Sequence, residues 1–173
     1  MTVGVVFETH ATSEDNEAAI ATGWLPGRLS AAGRAQAEEL GRRRREDGVL
    51  AVFSSDLRRA VETAEIAFGG SGIPLFLDWR LRECDYGELT GMPRPLLDEQ
   101  RVRRVDEPWP GGESWRQAVA RVNRALDDLP EGRVVVIGHV ATRWALDHRV
   151  RARPLEELAA EEFAWQPGWE YAL

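Results

Sequence analysis

The chain of 173 residues contains no lysine: all 22 of its basic residues are arginines. The phosphate-binding loops of P-loop nucleotide hydrolases need a lysine, and so does every mechanism in which the protein forms a Schiff base. The missing lysine therefore excludes both classes of activity. If this protein handles phosphate, arginine side chains and backbone amides must hold it.

Cysteine and long apolar runs are also scarce. Cys84 is the only cysteine, which excludes an internal disulfide framework and fits a reducing compartment. The apolar run at residues 1–7 stops at Glu8, too early for a signal sequence or a membrane-spanning helix, and no longer apolar run follows. We therefore expect a cytoplasmic protein without a membrane partner.

Basic residues are fewer than acidic ones, which gives a formal net charge of -7 and a pI near 5.1. This balance argues against nucleic acid as a partner. The four arginines at 42–45 follow a helical pattern and are flanked by acidic residues, which predicts a solvated helix end rather than a basic binding patch.

Short apolar runs alternate with amphipathic helical patterns along the chain. The runs predict strands at 3–7, 49–55 and 133–139, and the i, i+3, i+4 spacing predicts helices over 32–40, 57–68 and 115–129, with Ser30 capping the first of these. This alternation is typical of an α/β fold, a three-layer α/β/α arrangement around a mostly parallel central sheet. Residues 1–173 are expected to form one domain.

Histidine occurs only three times, and two of the three follow predicted strands. His10 comes after the first strand and His139 ends the third, where parallel sheets bind their ligands. His148 continues a helical pattern and is expected to be a packed or half-exposed residue of that helix.

Two further functional groups fall at predicted strand ends. Arg59 lies at the start of a helix that follows a strand, with Arg58 expected to face solvent, and Glu83 follows the short apolar run at 73–77. Two histidines, an arginine and a carboxylate suit attack by a neutral imidazole on an electrophile that carries negative charge. A zinc site is disfavoured because the His and Cys residues are far apart in sequence, and the motifs of cysteine phosphatases and serine hydrolases are absent.

The order of these segments resembles the histidine phosphatase superfamily, the phosphoglycerate mutase-like proteins. The family opens with a strand, then Arg-His-Gly and, a few residues on, an Asn; "THATSEDN" matches this at His10 and Asn16. The later blocks that resemble the family, in family order, are "TGWLPGRLSAAGRAQA" (22–37), "SSDLRRAVETAE" (54–65), "LRECDYGELTG" (81–91), "PGGESWRQAVARV" (110–122) and "VVVIGH" (134–139).

The resemblance implies a mechanism without metal or organic cofactor. His10 would attack phosphorus to form a phosphohistidine, and Glu83 would donate a proton to the leaving oxygen and later accept one from water. Arg59 and His139 would hold the phosphoryl oxygens. The matching positions Asn16, Thr22 and Gly23 would contact phosphate or substrate.

The sequence departs from the family pattern around the first histidine. The arginine before it is Thr9 here, the glycine after it is Ala11, and Glu8 is expected to bring negative charge close to the pocket. Either phosphate binding is weaker here, or another arginine compensates for Thr9. Arg143, one helical turn after His139, is the first candidate, followed by Arg82 and Arg28.

The favoured function is a phosphatase that hydrolyses a small-molecule phosphomonoester. Three alternatives stay open: a phosphoglycerate-type mutase, disfavoured by the short chain; a degenerate member that binds a ligand without turnover; and a scaffold used for acid/base chemistry without phosphoryl transfer. The aromatic tail at 163–173 is expected to form a last core strand, with a homodimer surface as the alternative.

Overall fold

The computed structural model describes residues 2–173 and contains a sheet of five strands in the order β3-β2-β4-β1-β5. The strands are β1 (Val3–Thr9), β2 (Ala51–Ser54), β3 (Leu75–Leu77), β4 (Gly132–Gly138) and β5 (Trp169–Ala172). The first four are parallel, and β5 is antiparallel to β1. The predicted mostly parallel sheet is thus confirmed.

Helices connect the strands and cover both faces of the sheet. They are α1 (Glu14–Glu17), α2 (Ala31–Arg44), α3 (Arg58–Phe68), α4 (Arg94–Asp98), α5 (Trp115–Asp127), α6 (Val140–Arg151) and α7 (Leu155–Ala160). Short 3-10 turns occupy 79–81, 87–89 and 103–105. The three helices predicted from spacing therefore correspond to α2, α3 and α5, and the Ser30 hydroxyl caps α2 by accepting from the Gly33 amide at 3.1 Å.

Side-chain alternation along the strands divides the core into two halves. On β4, Val134 and Val136 pack into the core built with α5 and α6, whereas Val135 and Ile137 pack into the core built with α2 and α3. Because neighbouring residues of a strand point to opposite faces, both faces of the sheet are buried. The fold is the predicted three-layer α/β/α arrangement.

Three of the arginines at 42–45, at the end of α2, make contacts with other parts of the fold. The guanidinium groups of Arg44 and Arg43 lie 2.9 Å and 3.5 Å from the carboxylate of the buried Glu8, and Arg45 donates to the carbonyls of Ile66 and Ala67. The prediction of a solvated helix end is therefore wrong for Arg43 and Arg44, whereas Arg42 and Arg45 are exposed. Glu8 is 2% exposed and pairs with α2, so the expectation that its charge would approach the pocket is also wrong.

The tail is only partly a strand. Residues 169–172 form β5, whereas 163–168 run irregularly past the sheet edge. Within residues 2–173, no helix is both long and apolar enough to cross a membrane.

Candidate active site

The parallel register of β1 and β4 brings His10 and His139 together at the carboxyl edge of the sheet. The His10 amide donates to the Gly138 carbonyl at 3.0 Å, which extends the β1–β4 pairing by one residue. The two imidazole rings lie with their centroids 5.0 Å apart. The residues predicted from the strand ends are therefore neighbours in space.

Arg59 lies between the two imidazoles, in the first turn of α3. Its side chain is buried, while Arg58 is exposed, as predicted. The guanidinium donates to Nε2 of His10 at 3.3 Å and lies 3.3 Å from Nδ1 of His139. It also donates to the carbonyls of Gly23 at 2.9 Å and Leu25 at 3.1 Å, which fix its position.

The hydrogen bonds assign the proton of His10 to Nδ1. Nδ1 lies 2.7 Å from the Ala11 carbonyl, which can only accept, so this nitrogen is the donor. Nε2 is left unprotonated and faces Arg59. Burial and the charge of Arg59 lower the pKa of His10 to about 3, so the ring stays neutral at pH 7.

His139 is held from both sides. Its Nε2 lies 2.9 Å from the hydroxyl of Ser55, and its Nδ1 faces Arg59. Burial and the nearby guanidinium hold the pKa of His139 well below its ordinary value. Both imidazoles are thus neutral bases in this state.

Glu83 follows β3 and is buried against the N-terminus of α6. Its Oε1 accepts hydrogen bonds from the amides of Cys84 at 2.9 Å and Ala141 at 3.2 Å. Burial raises the pKa of the carboxyl, an effect that these amides and the charge of Arg59 only partly oppose. A carboxyl group with a raised pKa suits proton donation near neutral pH.

The backbone of Glu83 is also fixed, by residues that the sequence did not single out. Its carbonyl accepts from the indole of Trp24 at 2.7 Å and from Arg121 at 3.1 Å. Arg121, on α5, is 3% exposed, pairs with Glu113 and donates to the carbonyls of Arg80 and Arg82. These hydrogen bonds from Trp24 and Arg121 fix the backbone at residues 80–83, and with it the position of Glu83.

A cavity of about 480 Å³ opens onto these groups. The predicted site residues that line it are Thr9, His10, Asn16, Thr22, Gly23, Arg59, Glu83 and His139. Asn16 is exposed and uses its side-chain oxygen to cap α1 by accepting from the Ser13 amide at 3.0 Å. The Thr22 hydroxyl donates to Asp15 at 2.9 Å.

Glycine is required at position 23 by its backbone. Gly23 has a φ of 52°, and a Cβ there would lie 3.1 Å from both the Tyr86 ring and the Thr90 hydroxyl. This conformation turns its carbonyl toward Arg59.

Arg143 does not reach the cavity, so the prediction that it compensates for Thr9 is wrong. Its guanidinium carbon lies 4.6 Å from the ring centre of Trp169, and its Nε lies 3.4 Å from Asp147. The helix presents this side chain to the β5 side of the fold. Arg82 pairs with Asp56 and Arg28 with Glu14, so neither fallback candidate lines the cavity.

Several residues that line the cavity were not predicted from the sequence. They are Tyr86, Arg94, Leu97, Asp98, Arg101, Trp109, Trp115, Phe163 and Trp165, among others. The signal that could have pointed to them is the count of seven tryptophans, of which three line this one cavity. Among residues 2–173, no three His, Cys, Asp or Glu side chains cluster so as to hold a metal ion.

Sequence comparison identifies the family to which this fold, with two histidines and an arginine between them, belongs. The model of the histidine phosphatase superfamily (branch 1) matches residues 5–165. The chain belongs to this superfamily.

Relatives within the superfamily include mutases and phosphatases. A probable phosphoglycerate mutase, GpmB, of Citrobacter koseri is 35% identical over 168 residues, which cover 82% of this chain and 78% of the relative. A 2,3-bisphosphoglycerate-dependent phosphoglycerate mutase of Corynebacterium diphtheriae is 34% identical, and the match covers 76% of this chain but only 53% of that mutase.

Solved structures support the same fold. A mycobacterial glucosyl-3-phosphoglycerate phosphatase superposes with a TM-score of 0.77 at 25% identity, covering 92% of this chain and 84% of that one. The proteins similar to this chain thus include a phosphatase as well as mutases.

Proposed function

We propose that the protein is a phosphatase that hydrolyses a small-molecule phosphomonoester through a phosphohistidine at His10. The observation that carries the proposal is the unprotonated Nε2 of His10, which faces Arg59 inside the cavity. A neutral imidazole with its other nitrogen fixed by a carbonyl is a ready nucleophile at neutral pH.

In the first step, Nε2 of His10 attacks phosphorus and the bond from phosphorus to the alcohol oxygen breaks. Glu83 gives its proton to that leaving oxygen, so the alcohol departs neutral. Arg59 donates to the phosphoryl oxygens and offsets their charge in the transition state. The negative phosphoryl group would raise the pKa of His139 and favour a donating ring nitrogen.

In the second step, water attacks the phosphorus of phosphohistidine. The Glu83 carboxylate takes the water proton, the bond between nitrogen and phosphorus breaks, and the electron pair returns to Nε2 of His10. Inorganic phosphate leaves, and both groups return to their starting states. No metal or organic cofactor takes part in this scheme.

Mutase activity is the second candidate, because curated relatives carry that name. A phosphoglycerate presents a carboxylate as well as a phosphate. Of the arginines that line the cavity in the described chain, Arg94 and Arg101 both lie 3.5 Å from Asp98, and Arg101 also donates to two carbonyls at 2.7 Å. These cations are already engaged, which favours the phosphatase.

The two activities differ in their products. We expect the enzyme to release inorganic phosphate from simple alkyl phosphates, and to form no 2-phosphoglycerate from 3-phosphoglycerate with catalytic 2,3-bisphosphoglycerate, as followed by phosphorus NMR. The variant His10→Ala, folded by circular dichroism, should lose phosphate release by several orders of magnitude. Formation of 2-phosphoglycerate faster than phosphate would assign the mutase activity instead.

A further inference from the structure

The cavity is much larger than a phosphoryl group requires. His10, Arg59, Glu83 and His139 form its inner end, and about half of its other lining residues are apolar or aromatic. The apolar and aromatic part of the outer cavity includes Ile20, Tyr86, Leu97, Trp109, Phe163 and Trp165. Apolar pockets of this size bind groups well beyond a phosphate.

One wall of the outer cavity is rigid and aromatic. The ring of Tyr86 meets Trp109 edge-on at 5.5 Å between centroids and Trp115 at 6.0 Å, and Trp115 packs on Trp144 at 4.3 Å. Trp109 and Trp115 are almost fully buried, so these rings are held in place before any ligand binds. A preformed aromatic wall suits a flat apolar group.

Another part of the wall comes from the irregular segment before β5. Phe163 is anchored near Trp169, with ring centroids 6.2 Å apart, whereas Trp165 is 59% exposed although it lines the cavity. When an apolar group of a ligand covers an exposed indole that lines a pocket, the free energy of the complex is lowered.

The charged groups of the outer cavity are engaged with one another. Asp98 lies 3.5 Å from both Arg94 and Arg101, and Arg101 donates to the carbonyls of Ala159 and Glu161. A second anionic group on the substrate would have to compete with these partners. Both guanidinium groups of the outer cavity thus already have partners.

We infer that the outer cavity binds an aromatic group carried by the alcohol of the substrate, so that the preferred substrates are arylalkyl phosphates. The inference rests on the proposed function, because it places the phosphate of the same molecule against His10. The aromatic ring would then lie against the part of the cavity lined by Tyr86, Trp109, Phe163 and Trp165.

The test compares 3-phenylpropyl phosphate with propyl phosphate. Their leaving alcohols are closely similar in basicity, so a difference in kcat/KM reports binding of the ring and not the chemistry of the leaving group. We expect the phenylpropyl ester to be favoured by about tenfold or more, and 3-phosphoglycerate to be no better than propyl phosphate. Equal kcat/KM values, or a preference for 3-phosphoglycerate, would overturn the inference while leaving the phosphatase proposal intact.

Matched tryptophan variants locate the effect. Trp165→Ala should reduce the ratio of the two kcat/KM values by roughly 2- to 10-fold. Trp79→Ala is the control, because Trp79 is comparably exposed at 51% but does not line the cavity. Equal effects of the two substitutions on the ratio would contradict binding at the outer cavity.

A binding measurement keeps the inference separate from catalysis. The non-hydrolysable 4-phenylbutylphosphonate should bind about tenfold or more tightly than butylphosphonate by calorimetry. If neither phosphate ester is hydrolysed, the phosphatase proposal fails, and the comparison of the two phosphonates then decides the inference about the aromatic group. Tighter binding of the phenyl compound supports it, and equal dissociation constants overturn it.

Discussion

Thr9 lines the cavity beside His10, where the family pattern has an arginine. Arg59 is thus the cation that directly contacts both imidazoles. The effect of the absent arginine on phosphate binding can be tested by placing an arginine at position 9.

We predict that Thr9→Arg raises kcat/KM for an alkyl phosphate. A charge-assisted hydrogen bond to phosphate contributes about 1.5–3 kcal/mol, or roughly 10- to 150-fold. Arg143→Ala serves as the control and should change kcat/KM by less than about twofold, because Arg143 packs on Trp169 outside the cavity. A loss of activity in Thr9→Arg, or a crippled Arg143→Ala, would show that the phosphate lies elsewhere.

At this scale the sequence predicted the position of His10, Arg59, Glu83 and His139 because each follows a strand end of the same sheet edge. The prediction for Arg143 was wrong because the rotation of α6 about its axis is set by its packing against α5 and the sheet, which no local pattern reports. Glu8 was misplaced for a different reason. It alternates with Phe7 and points to the same face as Val6, toward α2, which period-two counting could have revealed.

The contact between β1 and α2 depends on a buried ion pair. Glu8 is 2% exposed, and the side chain of Arg44 is 13% exposed. Removing one partner of a buried pair typically costs 3–5 kcal/mol, because the other charge stays buried. Since Arg43 also lies 3.5 Å from Glu8, removing Arg44 should cost an amount at the lower end of this range.

We therefore predict that Arg44→Ala lowers the free energy of unfolding by about 3 kcal/mol, measured by urea denaturation. The matched variant Arg42→Ala removes an exposed arginine that pairs with Glu39 and should cost less than about 1 kcal/mol. Equal losses in the two variants would mean that the pair with Glu8 does not stabilise the fold.

Long, strongly periodic elements were predictable, whereas short ones were not. The helices α2, α3 and α5 and the strands β1, β2 and β4 follow from apolar spacing within a few residues of their observed ends. The helix α4 and the 3-10 turns have too few residues for a period to show. The prediction that the tail forms a strand is confirmed only for residues 169–172. These residues form β5, in which Trp169 and Tyr171 are buried.

Over the whole molecule, the layer architecture was predictable but the outer cavity was not. Its walls come from residues near 20, 86, 94–101, 109–115 and 163–165, which are brought together only by the complete fold. Long-range assembly of this kind leaves no local signal.

The buried histidines link the stability of the whole fold to pH. The pKa of His10 is lowered to about 3 and that of His139 also falls well below its ordinary value, so the unfolded chain binds more protons below about pH 6.5. Stability is therefore present above that pH and is lost as the pH falls. The raised pKa of Glu83 acts in the opposite sense, reducing stability as the pH rises above about 4.5.

We predict that wild-type stability falls more steeply than that of His10→Asn between pH 6.5 and pH 5. The difference in slope should reach at most about 1.4 kcal/mol per pH unit, measured by urea denaturation at several pH values. Parallel slopes would indicate that His10 carries an ordinary pKa in the folded protein.

The most direct test of covalent catalysis is to trap the phosphoenzyme in Glu83→Gln with an aryl phosphate. The acidic phenol leaves without help from an acid, whereas attack by water still needs the missing base, so the intermediate should accumulate. We predict that mass spectrometry after an alkaline quench finds one phosphoryl group on His10, and none on the chain of His10→Ala. An aryl phosphate that wild type hydrolyses while His10 stays unlabelled in Glu83→Gln, or a label on another residue, would contradict a phosphohistidine mechanism at His10.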